Sequence, residues 1–348
     1  MPENSLVLDL RRETRLDDSA TAAEQRRRTF PWGLLLRTAV SAGLIWFLLA
    51  NSELAALRSA LAKLDERYWL AALLVYLVSQ CVSGHRWYTL GRALGFQKSW
   101  RQFQKLYLEG MFFSLCLPSS IGGDVVKAMR LGANARERFL AAGSVFADRL
   151  TGLAALCVIC ATGFLARSWQ LGLPAALFLG AGVSLAALVS FLVGQWFLRW
   201  NSTRLERIPK LGTILAELNE YNHKPGVVFR AIGWSFIVQL TNVAMVWLLG
   251  RGIELSVPAS SYFIAVPAVA LASTLPLSVN GVGVREGGLA LLLQPDGLTE
   301  EQGVALGLLW FSITMASGLM GGLAFLAERS REPGERGQEP GARSQERS

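Results

Sequence analysis

The chain has 348 residues, of which 52% are hydrophobic and only 17% charged, against about 25% charged in an ordinary soluble domain. Its apolar residues fall in long, nearly charge-free blocks of bilayer-spanning length, which argues against a soluble enzyme. The 34 Lys and Arg exceed the 26 Asp and Glu, and because the surplus sits in a few loops it reports membrane orientation rather than affinity for nucleic acid.

Residues 1–30 are polar and predicted to be a disordered cytoplasmic N-terminus. Arg11, Arg12, Arg15, Arg26, Arg27 and Arg28 precede the first apolar block, and no small-residue cleavage pattern follows it, so a removable signal is not expected. The integral membrane domain is predicted over 31–327, with a first span at about 32–50 behind Pro31. Residues 52–65 read as a short amphipathic surface piece through Leu54, Leu57, Leu61 and Leu64. Further full spans are expected at about 68–84, 139–166, 173–198, 227–250 and 304–326, with a basic surface helix at about 199–224. The tail at 328–348 is rich in Arg, Glu, Gly, Pro and Ser and is expected to be disordered and cytoplasmic.

Two further apolar stretches, at about 103–132 and 257–290, are interrupted. The first reads L-P-S-S-I-G-G-D-V-V-K from Leu117 to Lys127, the second L-P-L-S-V-N-G-V-G-V-R from Leu275 to Arg285. Without a gap, Pro118 matches Pro276, Ser120 matches Ser278, Gly123 matches Gly281 and Lys127 matches Arg285. Together with Gly122 and Gly283 these residues break each stretch, and broken backbone is tolerated inside a bilayer only where protein or a water-filled cavity satisfies it. Each stretch is therefore predicted to be a re-entrant hairpin. The basic residues favour hairpins over two extra crossings, because full crossings would put the basic segments 127–138 and 199–224 outside. The predicted fold is an all-α polytopic membrane protein. It has about six full spans plus two re-entrant broken-helix hairpins related as an inverted repeat, eight apolar segments in all, with both termini cytoplasmic.

A charge at the bilayer centre costs at least ~2.5–3.5 kcal/mol, so each one there needs a reason. Lys127 and Arg285 follow the breaks, where free N–H groups at a helix start favour an anion, so they are candidates for a lipid phosphate together with Asp124, Ser120, Ser278 and Asn280. Glu109, Asp148, Arg149 and Glu286 are candidates for a polar cavity lining. Plainer roles stand beside these. Asp148 and Arg149 can pair with each other or with the hairpin, Lys127 can snorkel, Asp124 can cap its helix, Asn280 can serve the turn, and Glu286 can neutralise Arg285. The eleven tryptophans sit mostly near segment ends and read as an interfacial belt. The four cysteines and two histidines form no disulfide framework or metal-ligand cluster, and no catalytic set, ATP-binding motif, metal or cofactor is expected.

The segment Gly110–Ala128, the run Asp148-Arg149-Leu150-Thr151-Gly152 and the segment Leu275–Gly287 together resemble the lysylphosphatidylglycerol synthase transmembrane region and flippase-like family. The resemblance covers about 32–326 and implies a bacterial inner-membrane protein that binds a phospholipid or related lipid and translocates it between leaflets. Full-length relatives carry a soluble aminoacyl-transferase domain after the membrane part. No such domain follows here, so this chain reads as a stand-alone member from which aminoacylation is not expected. The expected partners are a membrane phospholipid and a separate lipid-modifying enzyme, not nucleic acid, and a homo-oligomer is compatible with this. The alternative is a membrane-embedded transferase, with Asp124 or Glu109 as base, or a lipid-presenting subunit of a lipid- or glycolipid-modifying pathway.

Overall fold

A computed structural model describes residues 58–59, 61–116, 122–171, 220–274 and 281–329. The expected spans at about 32–50 and 173–198, the surface helix up to residue 219, the centres of both breaks and the two polar termini lie outside the described residues. Helix α1 (Glu66–Ala93) leads into α2 (Trp100–Cys116), α3 (Gly122–Leu131) and the long α4 (Ala135–Leu171). A single turn, α5 (Glu220–His223), precedes α6 (Pro225–Gly252), α7 (Ala259–Thr274), α8 (Val284–Leu293) and α9 (Glu300–Arg329). The regular structure among the described residues is helical throughout. Of these helices α1, α4, α6 and α9 are long and apolar enough to cross a bilayer, as expected of a polytopic membrane protein.

The second half repeats the first in order and length. α1 and α6 each have 28 residues, α2 and α7 have 17 and 16, and α3 and α8 have 10 each. The shift along the sequence that aligns Pro118 with Pro276 also carries Glu66–Ala93 onto Pro225–Gly252 to within one residue. Packing partners correspond as well: α2 lies on α9 as α7 lies on α4, and α3 lies on α4 as α8 lies on α9. α1 and α6 pack on each other over their full length. The Asp65 N–H donates to the Gly252 carbonyl at 2.9 Å at one end, and Lys224 Nζ donates to the Ala93 carbonyl at 3.1 Å at the other, so the two run antiparallel.

Lipid tails are as apolar as leucine, so helices in a bilayer associate through close packing of small residues. Two such surfaces lie on α9. Gly303 and Gly307 receive Ala290 and Glu286 of α8, while Gly318, Gly321 and Gly322 receive Leu115, Leu108 and Phe112 of α2. One apolar core, with Val246, Leu249, Tyr262, Leu289, Leu306 and Ile313, surrounds the second hairpin, and a smaller one, with Trp87, Phe103, Leu131 and Leu140, closes one end of the first.

Two expectations are corrected. The second span does not end near Gly84: α1 continues to Ala93 and stops before Gly95, whose φ of 89° breaks it. At 28 residues it is ~42 Å long, more than the ~30 Å hydrocarbon core requires. Residues 85–93 are therefore helix, and Arg86 is buried inside the protein rather than exposed in a loop. The tryptophans do not all belong to a belt either, since Trp87 and Trp310 are buried among helices.

Candidate functional site

The first hairpin closes where α2 and α3 cross at glycine. A Cβ on Gly123 would run into the Gly110 carbonyl and the Ser114 hydroxyl, and a Cβ on Gly110 into the Lys127 stem, so the two backbones touch. That contact sets Lys127 inside the protein with its side chain only 7% exposed, which removes snorkelling as its role. Its Nζ lies 4.2 Å from the centre of the Tyr107 ring and 5.9 Å from that of Trp87, within cation–π range. It also reaches back one turn to Asp124 Oδ1 at 3.2 Å.

Asp124 is shared. Arg149 of α4 donates Nε to Asp124 Oδ2 at 2.9 Å and Nη2 to Oδ1 at 3.2 Å, a forked pair suited to the planar guanidinium. Asp124 therefore ties the hairpin to α4 in addition to standing in the first turn of α3, where its charge suits the helix dipole. The Arg149 side chain is 59% exposed. Its neighbour Asp148 does not pair with it. Consecutive helical residues point ~100° apart, and Asp148 faces Arg86 of α1, which donates Nε at 2.7 Å and Nη2 at 2.9 Å. Arg86 Nη1 also donates to the Ser235 hydroxyl of α6 at 2.8 Å, so one guanidinium joins α1, α4 and α6.

Glu109 of α2 is 1% exposed, with Arg130 Nη1 at 3.1 Å and Lys105 Nζ at 4.0 Å. It sits apart from Asp124, on the side of α2 nearer Arg130. In the second hairpin, Gly281 and Gly283 adopt φ of 74° and 85°, the left-handed region open to glycine, and turn the chain into α8. Arg285 is buried with its guanidinium 5.1 Å from the Trp310 ring and 5.9 Å from Phe311. Glu286 accepts from the Gly283 N–H at 2.5 Å, which closes the start of α8 and sets a negative charge beside Arg285. Tyr76 of α1 feels the charge of both Arg149 and Arg285.

The structure thus brings Asp124, Lys127 and Arg149 together, sets Asp148 on Arg86, and places Arg285 and Glu286 side by side at the start of α8. Pro118, Ser120, Pro276, Ser278 and Asn280 lie outside the described residues. Sequence reasoning passed over Arg86, Ser235, Tyr76 and Tyr107. A model of the lysylphosphatidylglycerol synthase TM region matches residues 34–322, which include both hairpins and nearly the whole of the four long helices. The chain belongs to this family. No curated protein matches it. As a member of the lysylphosphatidylglycerol synthase TM region family it is a multi-pass membrane protein tied to lipid pathways, and its interior charges lie within the matched region.

Proposed function

We propose that this protein binds a phospholipid or related lipid by its phosphate and translocates it between the leaflets of a bacterial cytoplasmic membrane. The observation that carries the reading is the burial of Lys127 against Tyr107 and of Arg285 against Trp310, each just after the start of a resumed helix, with Arg149 of α4 tied to the first through Asp124, inside a membrane protein of a lipid-linked family. Buried cations beside broken helix starts form a site for a phosphate. The translocating unit is six full spans with two hairpins entering from opposite faces and both termini cytoplasmic. The equal helix lengths and the antiparallel α1–α6 pair support this, because antiparallel helices exchanged by a two-fold need an axis across their length, in the membrane plane.

The test is movement of fluorescent phospholipids with anionic, zwitterionic and cationic headgroups in proteoliposomes. Wild type moves at least one class; Lys127→Ala and Arg285→Ala each slow it about tenfold or more, the loss of one charge-assisted contact. Well-folded wild type that moves none of the lipids ends the translocation reading.

A further inference from the structure

Three of the interior carboxylates accept hydrogen bonds: Asp124 from Lys127 and Arg149, Asp148 from Arg86 through both oxygens, and Glu286 from the Gly283 N–H. Glu109 does not. Its side chain is 1% exposed, and neither carboxyl oxygen has a hydrogen-bond partner among the described residues. Arg130 Nη1 stands 3.1 Å away and Lys105 Nζ 4.0 Å away, acting as charges without a formed hydrogen bond. A carboxylate taken out of water needs hydrogen bonds as well as opposite charge to offset its lost hydration. Here only the charge is present. The two cations are themselves 35% and 40% exposed, so they carry water to within one side chain of the buried carboxyl.

The surroundings add cations and no second acid. Besides Arg130 of α3 and Lys105 of α2, the charge felt by Glu109 is that of Lys98, just before α2. α9 brings Gly321 against the Leu108 carbonyl and has no charged residue from Gln302 to Ala327. On α3, Asp124 is held by Lys127; on α1, Arg86 is on Asp148, Arg92 on Gln97 and His85 against Trp234. The other face of Arg130 lies 5.4 Å from the Phe325 ring of α9. A charged Glu109 therefore holds the end of α3 to α2, with α9 alongside. In the second hairpin the positions in register with Glu109 and Arg130 are Pro267 and Gly288, so no such clamp exists there.

We infer that Glu109 is a proton-binding site, and that its protonation releases the base of the first hairpin. A proton from water adds to one carboxyl oxygen, the negative charge is lost, and Arg130 loses the charge it faces. A metal cation is the poorer ligand, because it would sit against Arg130 and Lys105, whereas a proton lies on the oxygen itself. The proton site stands without the proposed function. The inference rests on that reading only where it makes lipid movement depend on the proton.

The experiment uses the full chain in lipid nanodiscs, with infrared difference spectra recorded as the pH is lowered from about 8 to about 5, above the ordinary carboxylate range. Wild type is expected to gain the C=O band of a protonated, buried carboxyl that Glu109→Gln lacks. Identical spectra of the two proteins overturn the inference. If Glu109→Gln fails to fold, Arg130→Gln takes its place: loss of the cation at 3.1 Å should raise the midpoint of the band by about one pH unit or more, and an unmoved midpoint overturns the inference. In proteoliposomes, wild type is expected to move lipid about tenfold faster at the lower pH, equivalent to about 1.4 kcal/mol, and Glu109→Gln to move it at the fast rate at both. Wild-type movement that ignores pH overturns the release of the hairpin. No movement at any pH ends the translocation reading instead, and the infrared band then decides the proton site alone.

Discussion

The two hairpins share a backbone plan and differ in chemistry. In the first, α3 meets α4 through charge, with Asp124 between Lys127 and Arg149. In the second, α8 meets α9 through contact of backbones: the position in register with Arg149 is Gly307, against Glu286, and the position in register with Asp148 is Leu306, wholly buried in the core. A shared frame therefore does not imply shared work. Among the described residues the second junction is close-packed backbone, and the first is an ion pair whose arginine is more than half exposed.

The largest effect expected is at the buried Arg86–Asp148 pair. Arg86→Met or Asp148→Asn alone leaves the other charge buried without its partner and should cost ~3–5 kcal/mol in an unfolding titration in detergent, whereas Arg86→Met with Asp148→Leu should recover most of it. Failure of the double variant to recover would show that the pair does more than neutralise itself. Next comes Gly307→Ala. Its Cβ would lie 2.8 Å from the Glu286 Cα, so α8 must shift, at ~1–3 kcal/mol. Arg149→Ala, in the matching position, leaves Asp124 bonded to Lys127 and should lower the unfolding midpoint less than Gly307→Ala. The reverse order would mean that charge, not close packing, sets the difference between the halves. The smallest effect lies outside both hairpins, at the exposed Lys224–Glu220 pair. Lys224 hydrogen-bonds the Glu220 carboxylate at 2.8 Å and holds its pKa below the ordinary value. Its contribution is present above the ordinary glutamate range and is lost as pH falls through the lowered value. Exposed pairs of this kind are screened. Glu220→Gln should leave the unfolding midpoint within error at neutral pH, and a clear loss would show that α5 anchors α6.

Much of the frame was legible because membrane helices announce themselves by length, and because Pro118 with Pro276 and Lys127 with Arg285 preserve a repeat without gaps. The candidate charges were legible for the same reason, since an ionisable residue in an apolar block stands out. Their pairing was not. Asp148 and Arg149 are neighbours in sequence but point to different helices, and the Asp148 partner, Arg86, is 62 residues away in what read as a loop. The signal was the lack of any proline between Gly84 and Gly95, with Gly91 alone to weaken the helix there. Tyr76 and Tyr107 were hidden differently: an aromatic ring in an apolar stretch has the pattern of core packing, and only the converging charges give it another role. Trp87 and Trp310 passed for interface anchors for the same reason.

The two adjacent residues of α4 make that helix a crank. Arg149 grips the first hairpin through Asp124, and Asp148 grips α1, and through Arg86 also α6. Because their side chains leave the axis ~100° apart, turning α4 about its own axis swings both ends at once and must stretch one grip or the other. The hairpin therefore cannot part from α4 by rotation without passing force to the antiparallel pair of α1 and α6.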